Sequence, residues 1–385
     1  MLIGPEYAGP VSKKVVVLGA GFGGLELSTM LAEELGDEIE VTVIDRGDSF
    51  SFGYSKLDMM FRGASLDSVS LPYSAIAKPG VNVVREEITA IDPDSRTVTT
   101  DQGTHRADVL VIALGADFDF DATPGLAEHG SEFYSFAGAA AAAGPIADFD
   151  SGHAVIGVCG APFKCPPAPS ECALMLSDEL TRRGVRDQCE ITFVMPLGSP
   201  VPPSPETSAA LMAEFESRGI TFIGGKRPGR LESGKVTLDD GSELPFDLFL
   251  GVPKHRAPQV VIESGLTENG FVPVDSATLR TKYEGVYAVG DVSTAGVPKA
   301  GVFAEGAARV VARELIAEIR GEPVPEPYDG RGSCYIEFGE DRIARVDIDF
   351  LSGPEKTGEF NAPSLALRDE KNEFGTTRKA RWFGL

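Results

Sequence analysis

Apolar residues in this chain gather into short, nearly continuous runs separated by amphipathic stretches. The first run, residues 14–18 (KVVVL), is β-branched and unbroken, the pattern of a strand buried on both faces. Gly19-Ala20-Gly21-Phe22-Gly23-Gly24 follows at once, and then LELSTMLAEELG, whose apolar positions recur at helical spacing. The next run, IEVTVIDRG, reads as a strand ending in Asp45, 21 residues beyond Gly24. Residues 81–117 read as short strands joined by polar turns, closing with VLVIALG and Gly115, which return the chain to the first sheet. The Ala-rich residues 136–150 predict a helix and linker, a spacer without chemistry.

A second strand–helix unit begins at HAVIGV (residues 153–158) and enters CALMLSDELTRRG through CGAPFKCPPAPSE. A strand EITFVMP, a helix TSAALMAEFESRG, a strand ITFIGG and a hairpin KVTLDDGSELPFDLFLGV complete it. After residue 270 the strand VYAVGD delivers Gly290 and Asp291, and Pro298-Lys299-Ala300-Gly301 opens a long helix. The pattern predicts an α/β chain with two Rossmann-like dinucleotide-binding domains and a small C-terminal α+β region. The expected boundaries are residues 1–120 and 266–320 for the two parts of the first domain, 121–265 for the second, and 321–385 for the C-terminal region.

The first unit carries a dinucleotide fingerprint. Gly19, Gly21 and Gly24 let the backbone turn tightly and approach a pyrophosphate, the helix amino terminus offers unpaired N–H groups, and Asp45 has the spacing of a ribose partner. In the second unit Pro162, Lys164, Cys165, Pro166, Pro167 and Pro169 stand where a pyrophosphate would need glycines, and proline nitrogens cannot donate. That half should bind a nicotinamide cofactor poorly. Joined to the first fingerprint, the late Gly290-Asp291 strand reads as the second half of an FAD site. Asp291 would accept from a ribityl hydroxyl, and the helix after Gly301 would point its positive end at the flavin.

Composition narrows the partners. Thirty-five Lys and Arg against 58 Asp and Glu give a formal net charge of −23, which repels a phosphate backbone and argues against nucleic acid. No run approaches the roughly 18 to 20 apolar residues needed to span a bilayer. The opening MLIGPEYAGPVSKK lacks a basic segment followed by an apolar one, so the protein is read as cytoplasmic. Five cysteines are too few for a disulfide scaffold, so a pair among them points to redox chemistry.

At Cys165-Pro166-Pro167-Ala168-Pro169 with Glu171, at AVGDVSTAGVPKAGVFAE, at Cys334 in GRGSCYIEFGE and at the closing RWFG, the sequence resembles the two-dinucleotide-domain flavoproteins. Within them it is similar to the branch of sulfide:quinone oxidoreductases and the flavin subunit of flavocytochrome c sulfide dehydrogenase, over nearly the whole chain. The resemblance implies a redox pair, Cys165 and Cys334, beside FAD. Hydrosulfide would open that disulfide, leave a persulfide on one cysteine, and have its electrons pass through the flavin to a quinone. Relatives with a further cysteine in the first domain use it for sulfide handling or to tether the flavin; residues 1–158 contain none here, which implies non-covalent FAD. The absence of an export signal favours a quinone over a cytochrome. Two other readings remain open: an NAD(P)H-dependent quinone or disulfide reductase, and a non-catalytic flavin-bearing electron-transfer subunit or sensor.

The catalytic residues expected are thus Cys165, Cys334 and Glu171. The cofactor-binding set is Gly19, Gly21, Gly24, Asp45, Gly115, Gly290, Asp291, Lys299 and Gly301. Cys165 precedes a helix, a position that lowers a thiol's pKa. Glu171 either moves protons or is only a favourable first-turn charge. Cys159 and Cys172 read as buried packing residues, and Cys189, in RDQCE, as exposed. His105, His129 and His153 read as surface residues; His255 either faces the flavin or does nothing chemical. No cluster has metal-ligand spacing. The tail KNEFGTTRKARWFGL mixes Arg378, Lys379 and Arg381 with Phe374, Trp382 and Phe383. It suits either peripheral contact with the inner face of the cytoplasmic membrane or packing on the protein or a homodimer partner.

Overall fold

The computed structural model of the chain describes residues 12–76 and 78–385; most of the amino-terminal stretch, through residue 11, therefore lies outside the described residues. Five parallel strands form a first sheet, in the spatial order Val286–Ala288, Val109–Ile112, Lys13–Leu18, Ile39–Asp45, Val81–Arg85. Lys13–Leu18 is paired on both sides, which is why its apolar run is continuous: Val15, Val16, Val17 and Leu18 are all buried. Helices Phe22–Leu35 and Gly301–Arg320 pack along one another over one face of the sheet. Leu27, Leu31 and Leu35 share a core there with Val311 and Leu315. Because Val286–Ala288 returns to this sheet, Gly290 emerges at the same carboxyl edge as Gly19. That edge is where parallel α/β sheets bind ligands.

A second parallel sheet repeats the plan, in the order Ser131–Glu132, Leu248–Val252, Gly152–Val158, Cys189–Met195, Ile220–Gly224. The segment expected to be one hairpin divides. Lys235–Leu238 and Glu243–Pro245 form an antiparallel pair, whereas Leu248–Val252, buried at every position, inserts into the parallel sheet. Cys189 is another correction. It is the first residue of its strand and points inward, so it is buried rather than exposed. Cys159 and Cys172 are buried as expected.

The Ala-rich segment is more than a spacer. It forms helix Phe136–Asp148, whose Ala139, Ala142 and Ile146 lie on one face and enter the core that holds Cys172 and Leu176. It also packs against helix Ser55–Phe61.

Beyond residue 330 an antiparallel sheet of Arg331–Glu337, Ile343–Asp349 and Thr357–Ser364 is followed by helix Ala366–Arg378 and a single wide turn, Lys379–Phe383. Trp382 and Phe383 are 1% and 4% exposed. They pack with Phe22, Phe50 and Phe52, and Trp382 Nε1 donates to Glu26 Oε2 at 2.8 Å. The tail thus docks on the protein, and its tryptophan is withdrawn from any bilayer headgroup. No described helix is long and apolar enough to cross a membrane.

Candidate functional site

A cavity of about 530 Å³ opens where the first sheet's carboxyl edge meets the loop before helix Ala168–Arg182 and strand Arg331–Glu337. Gly19, Gly21, Asp45, Gly115, Gly290, Asp291, Lys299 and Gly301 line it, and so do Cys165, Glu171 and Cys334. Gly24 alone of the expected residues does not. A Cβ at Gly24 would stand 1.9 Å from the Gly19 carbonyl oxygen, so its role is close packing of helix on strand.

At the nucleotide end, Gly19 has φ +100° and a Cβ there would lie 2.5 Å from the Ala113 carbonyl oxygen. A Cβ on Gly21 would meet nothing within 4 Å, which leaves a cradle open to a phosphate. Asp45 is held by two main-chain donors, Ala20 N and Gly47 N, each at 2.7 Å. Farther along, Asp291 Oδ1 is buried without a hydrogen-bond partner among the described residues, and burial raises its pKa. A buried carboxylate oxygen left waiting, beside an open glycine cradle and a fixed Asp45, is the donor–acceptor set that FAD would complete. Lys299 Nζ donates to the carbonyls of Asp291 (2.5 Å) and Ser293 (3.3 Å), fixing this turn, and burial pushes its pKa down to about 8.

At the sulfur end, Cys165 N donates to the Lys299 carbonyl at 2.7 Å, while the Cys165 carbonyl accepts from Ala168 N (2.9 Å) and from the Tyr134 hydroxyl (3.3 Å). These contacts hold Cys165 at φ +46°, a left-handed conformation rare outside glycine. Cys334 sits mid-strand opposite Val346 and reaches the cavity from the other side. Both are free thiols, near enough that the charge of Cys334 bears on Cys165. The surroundings of Cys165 do not favour a lowered pKa. Although the residue is exposed, the protein packed about its thiol raises its pKa above the ordinary value, Glu171 and Cys334 add to the rise, and Lys56 opposes it only in part. Cys334 is likewise pushed up to about 12, by burial first and Glu171 next.

Glu171 is buried on the cavity wall, where burial pushes its carboxyl up to about 7. The Glu337 backbone N–H donates to its Oε1 at 2.9 Å. His255 does not line the cavity. It is buried behind it against Phe118 and Tyr134, its Nδ1 bonded to the Pro253 carbonyl at 2.8 Å, and burial pushes its pKa down to about 3. His129 is exposed, whereas His105 meets Glu86 at 2.6 Å and His153 meets Thr192 at 2.8 Å.

Sequence reasoning missed the rest of the wall. Lys56 Nζ donates to the Tyr134 carbonyl at 2.8 Å, and Lys164 Nζ to the Ala116 carbonyl at 2.9 Å over the Phe118 ring. Burial lowers the pKa of both, that of Lys56 to about 8. With Lys299 they place three ammonium groups on the cavity wall, where Asp291 and Glu171 also stand. Tyr335, Phe374 and Lys371 join from the C-terminal region. Within the proline-filled turn, Lys164, Cys165 and Pro167 face this same cavity, so a turn placed to hold a second dinucleotide closes the first site instead.

The family model for pyridine nucleotide-disulphide oxidoreductases matches residues 13–308. Among curated proteins, the chain is 29% identical over 361 residues to the sulfide-quinone reductase of Aquifex aeolicus, covering 86% of this chain and 82% of that one. It is 24% identical to the mitochondrial sulfide:quinone oxidoreductase of Mus musculus, covering 93% and 86%, and 27% identical to a type II NADH:quinone oxidoreductase of Staphylococcus aureus, covering 87% and 90%. Among solved structures, the X-ray structure of the sulfide:quinone oxidoreductase from Aquifex aeolicus superposes with a TM-score of 0.85 at 24% identity, covering 97% of this chain and 92% of that one.

Proposed function

Since the chain belongs to the pyridine nucleotide-disulphide oxidoreductase family and is a flavin-dependent oxidoreductase, we propose that it oxidises sulfide through Cys165 and Cys334 and delivers the electrons to a quinone. The observation that carries this reading is the convergence of the two cysteines, from opposite sides, on the cavity that Asp291 and the glycine turn prepare for FAD. The sulfide:quinone relatives support the substrate pair.

Bound non-covalently, FAD would supply two-electron acceptance and release. The protein's own residues do the sulfur chemistry. In the disulfide form, hydrosulfide forms a bond to one cysteine sulfur as the Cys165–Cys334 bond breaks, and the electron pair leaves on the other sulfur as thiolate. Lys56 is the cation that opposes the rise in the Cys165 pKa, so it would stabilise a thiolate formed on Cys165. Glu171, titrating near neutral pH beside both sulfurs, is suited to exchange the proton. Tyr335 and Phe374, ring centres 6.1 Å apart on the cavity wall, offer an aromatic surface to a quinone ring. A quinone acceptor would bring the protein to the cytoplasmic face of a membrane, with a contact other than the buried Trp382.

The similarity to type II NADH:quinone oxidoreductases favours a second reading, with NADH as donor. Rapid mixing of the FAD-loaded protein with sulfide and, separately, with NADH decides between them. Bleaching of the flavin by sulfide within the mixing experiment, with NADH slow, supports the proposal; the reverse order overturns it.

A further inference from the structure

Behind Glu171 lies a set of charged groups that the sulfur chemistry does not use. Glu337 ends strand Arg331–Glu337, three residues after Cys334, with its side chain 4% exposed. Its main-chain N–H holds Glu171, and its carboxylate receives Lys371 Nζ at 2.6 Å and Arg62 Nη1 and Nη2 at 3.2 and 2.9 Å. Arg62 continues outward to Asp58 at 2.8 Å and Asp341 at 3.5 Å on the surface. One residue therefore touches the cavity's carboxyl group through its backbone and the cavity's outer ammonium through its side chain. Lys371 lines the cavity, and the only hydrogen bond of its ammonium among the described residues is to Glu337.

We propose that Glu337 is a positioning residue: anchored by Arg62, it holds the Lys371 ammonium off Glu171 and so sets how readily Glu171 gives up its proton. This rests on the reading above for its use. Reduction of a quinone takes up two protons, and Glu171 would provide one. Its O–H bond breaks as an O–H bond forms on one quinone oxygen, the electron pair comes separately from the bound cofactor, and solvent supplies both the second proton, to the other quinone oxygen, and the one that restores Glu171.

The charges on Glu171 fix the sign. Lys371 and Arg62 lower its pKa and the Glu337 carboxylate raises it. Cys165 before its own helix, Cys172 within it, Cys334 on the facing strand and Tyr134 are the remaining titratable neighbours, all neutral at neutral pH because burial raises their pKa values. Removing Glu337's charge takes away its repulsion and frees Lys371 to approach, so Glu171 should become the stronger acid. Removing Lys371's charge should make it the weaker one.

The test is an infrared pH titration of the FAD-loaded, sulfide-free protein, following the carboxyl band that E171Q lacks. In the parent its midpoint should fall near 7. In E337Q the midpoint should drop by about one pH unit, and in K371M it should rise by about one. An unmoved midpoint in either variant, or displacement of both in the same direction, overturns the proposal. Should E337Q not fold, K371M alone decides by whether its midpoint rises. No sulfur donor or quinone enters the measurement, so its failure and the failure of the sulfide reading are separate outcomes.

Discussion

The backbone N–H of Cys165 donates to the carbonyl of Lys299 at 2.7 Å, across a sequence gap that spans most of the second sheet. That bond ties the cysteine loop to the turn carrying Asp291, whose carbonyl Lys299 Nζ holds at 2.5 Å. Cys165 is thereby locked in a left-handed conformation, a strain of about 1–3 kcal/mol that the surrounding contacts must offset. The sulfur proposed to react and the carboxylate proposed to hold the cofactor share one scaffold, so displacing either should disturb the other.

Asp291→Ala separates cofactor binding from folding. Losing a hydrogen bond to a carboxylate, about 1.5–3 kcal/mol, should weaken FAD binding roughly ten- to a hundredfold. The apoprotein should move the other way, because a buried carboxyl group whose Oδ1 has no partner among the described residues is gone. Asp291's pKa is raised in the folded state by burial, so its ionisation destabilises the parent as pH rises, and the variant's gain should grow above pH 3.8, the ordinary value. Flavin titration and apoprotein melting measured side by side check both signs.

Two glycines of one turn should behave differently. Gly24→Ala drives a methyl group into the Gly19 carbonyl oxygen and should destabilise the protein by about 3 kcal/mol, read by urea unfolding. Gly21→Ala meets no protein atom within 4 Å and should fold normally, yet it fills the cradle and should bind FAD more weakly.

The docked tail predicts an acid limb of stability. Burial alone would raise the Glu26 carboxyl, but hydrogen bonds from Arg309, Trp382 and Arg381 outweigh it and hold its pKa below the ordinary 4.5. A carboxylate with a depressed folded pKa stabilises above its unfolded pKa and loses that contribution as pH falls through the folded value. Glu26→Gln should therefore be less stable than the parent at neutral pH by about 2 kcal/mol, with the gap closing below pH 4.5. Urea unfolding across that range, with Trp382 fluorescence as the probe, reports it; a gap independent of pH would show that Glu26 acts by packing alone.

What the sequence disclosed were the features written in local chemistry. Gly19 to Asp45 and Gly290-Asp291 announce themselves by spacing, because backbone approach to a pyrophosphate demands glycine and a strand end. Lys56 carries no such mark: a lysine on a short helix reads as a solvated residue, and only the packing of Phe136–Asp148 against that helix turns it inward. Glu337 and Lys371 are likewise ordinary surface-type residues until the C-terminal sheet and helix bring them behind Glu171. For Cys165 the helix that follows is legible in the sequence, whereas Glu171, Cys334 and Lys56, which bear on its thiol, are brought to it only by the fold. Cys189 and Leu248–Val252 depend on which sheet a strand joins, and a short apolar run does not specify that.

If Cys165 and Cys334 together carry sulfide's electrons to the flavin, sulfide should bleach it only when both are present. The direct measurement is an anaerobic titration of the FAD-loaded protein with sulfide, following flavin absorbance, on the parent, C165S and C334S, with a short-chain quinone added at the end. The parent should bleach and regain its colour with quinone, while both variants should keep FAD bound and fail to bleach. Sulfide-dependent bleaching retained in both variants would rule the cysteine pair out.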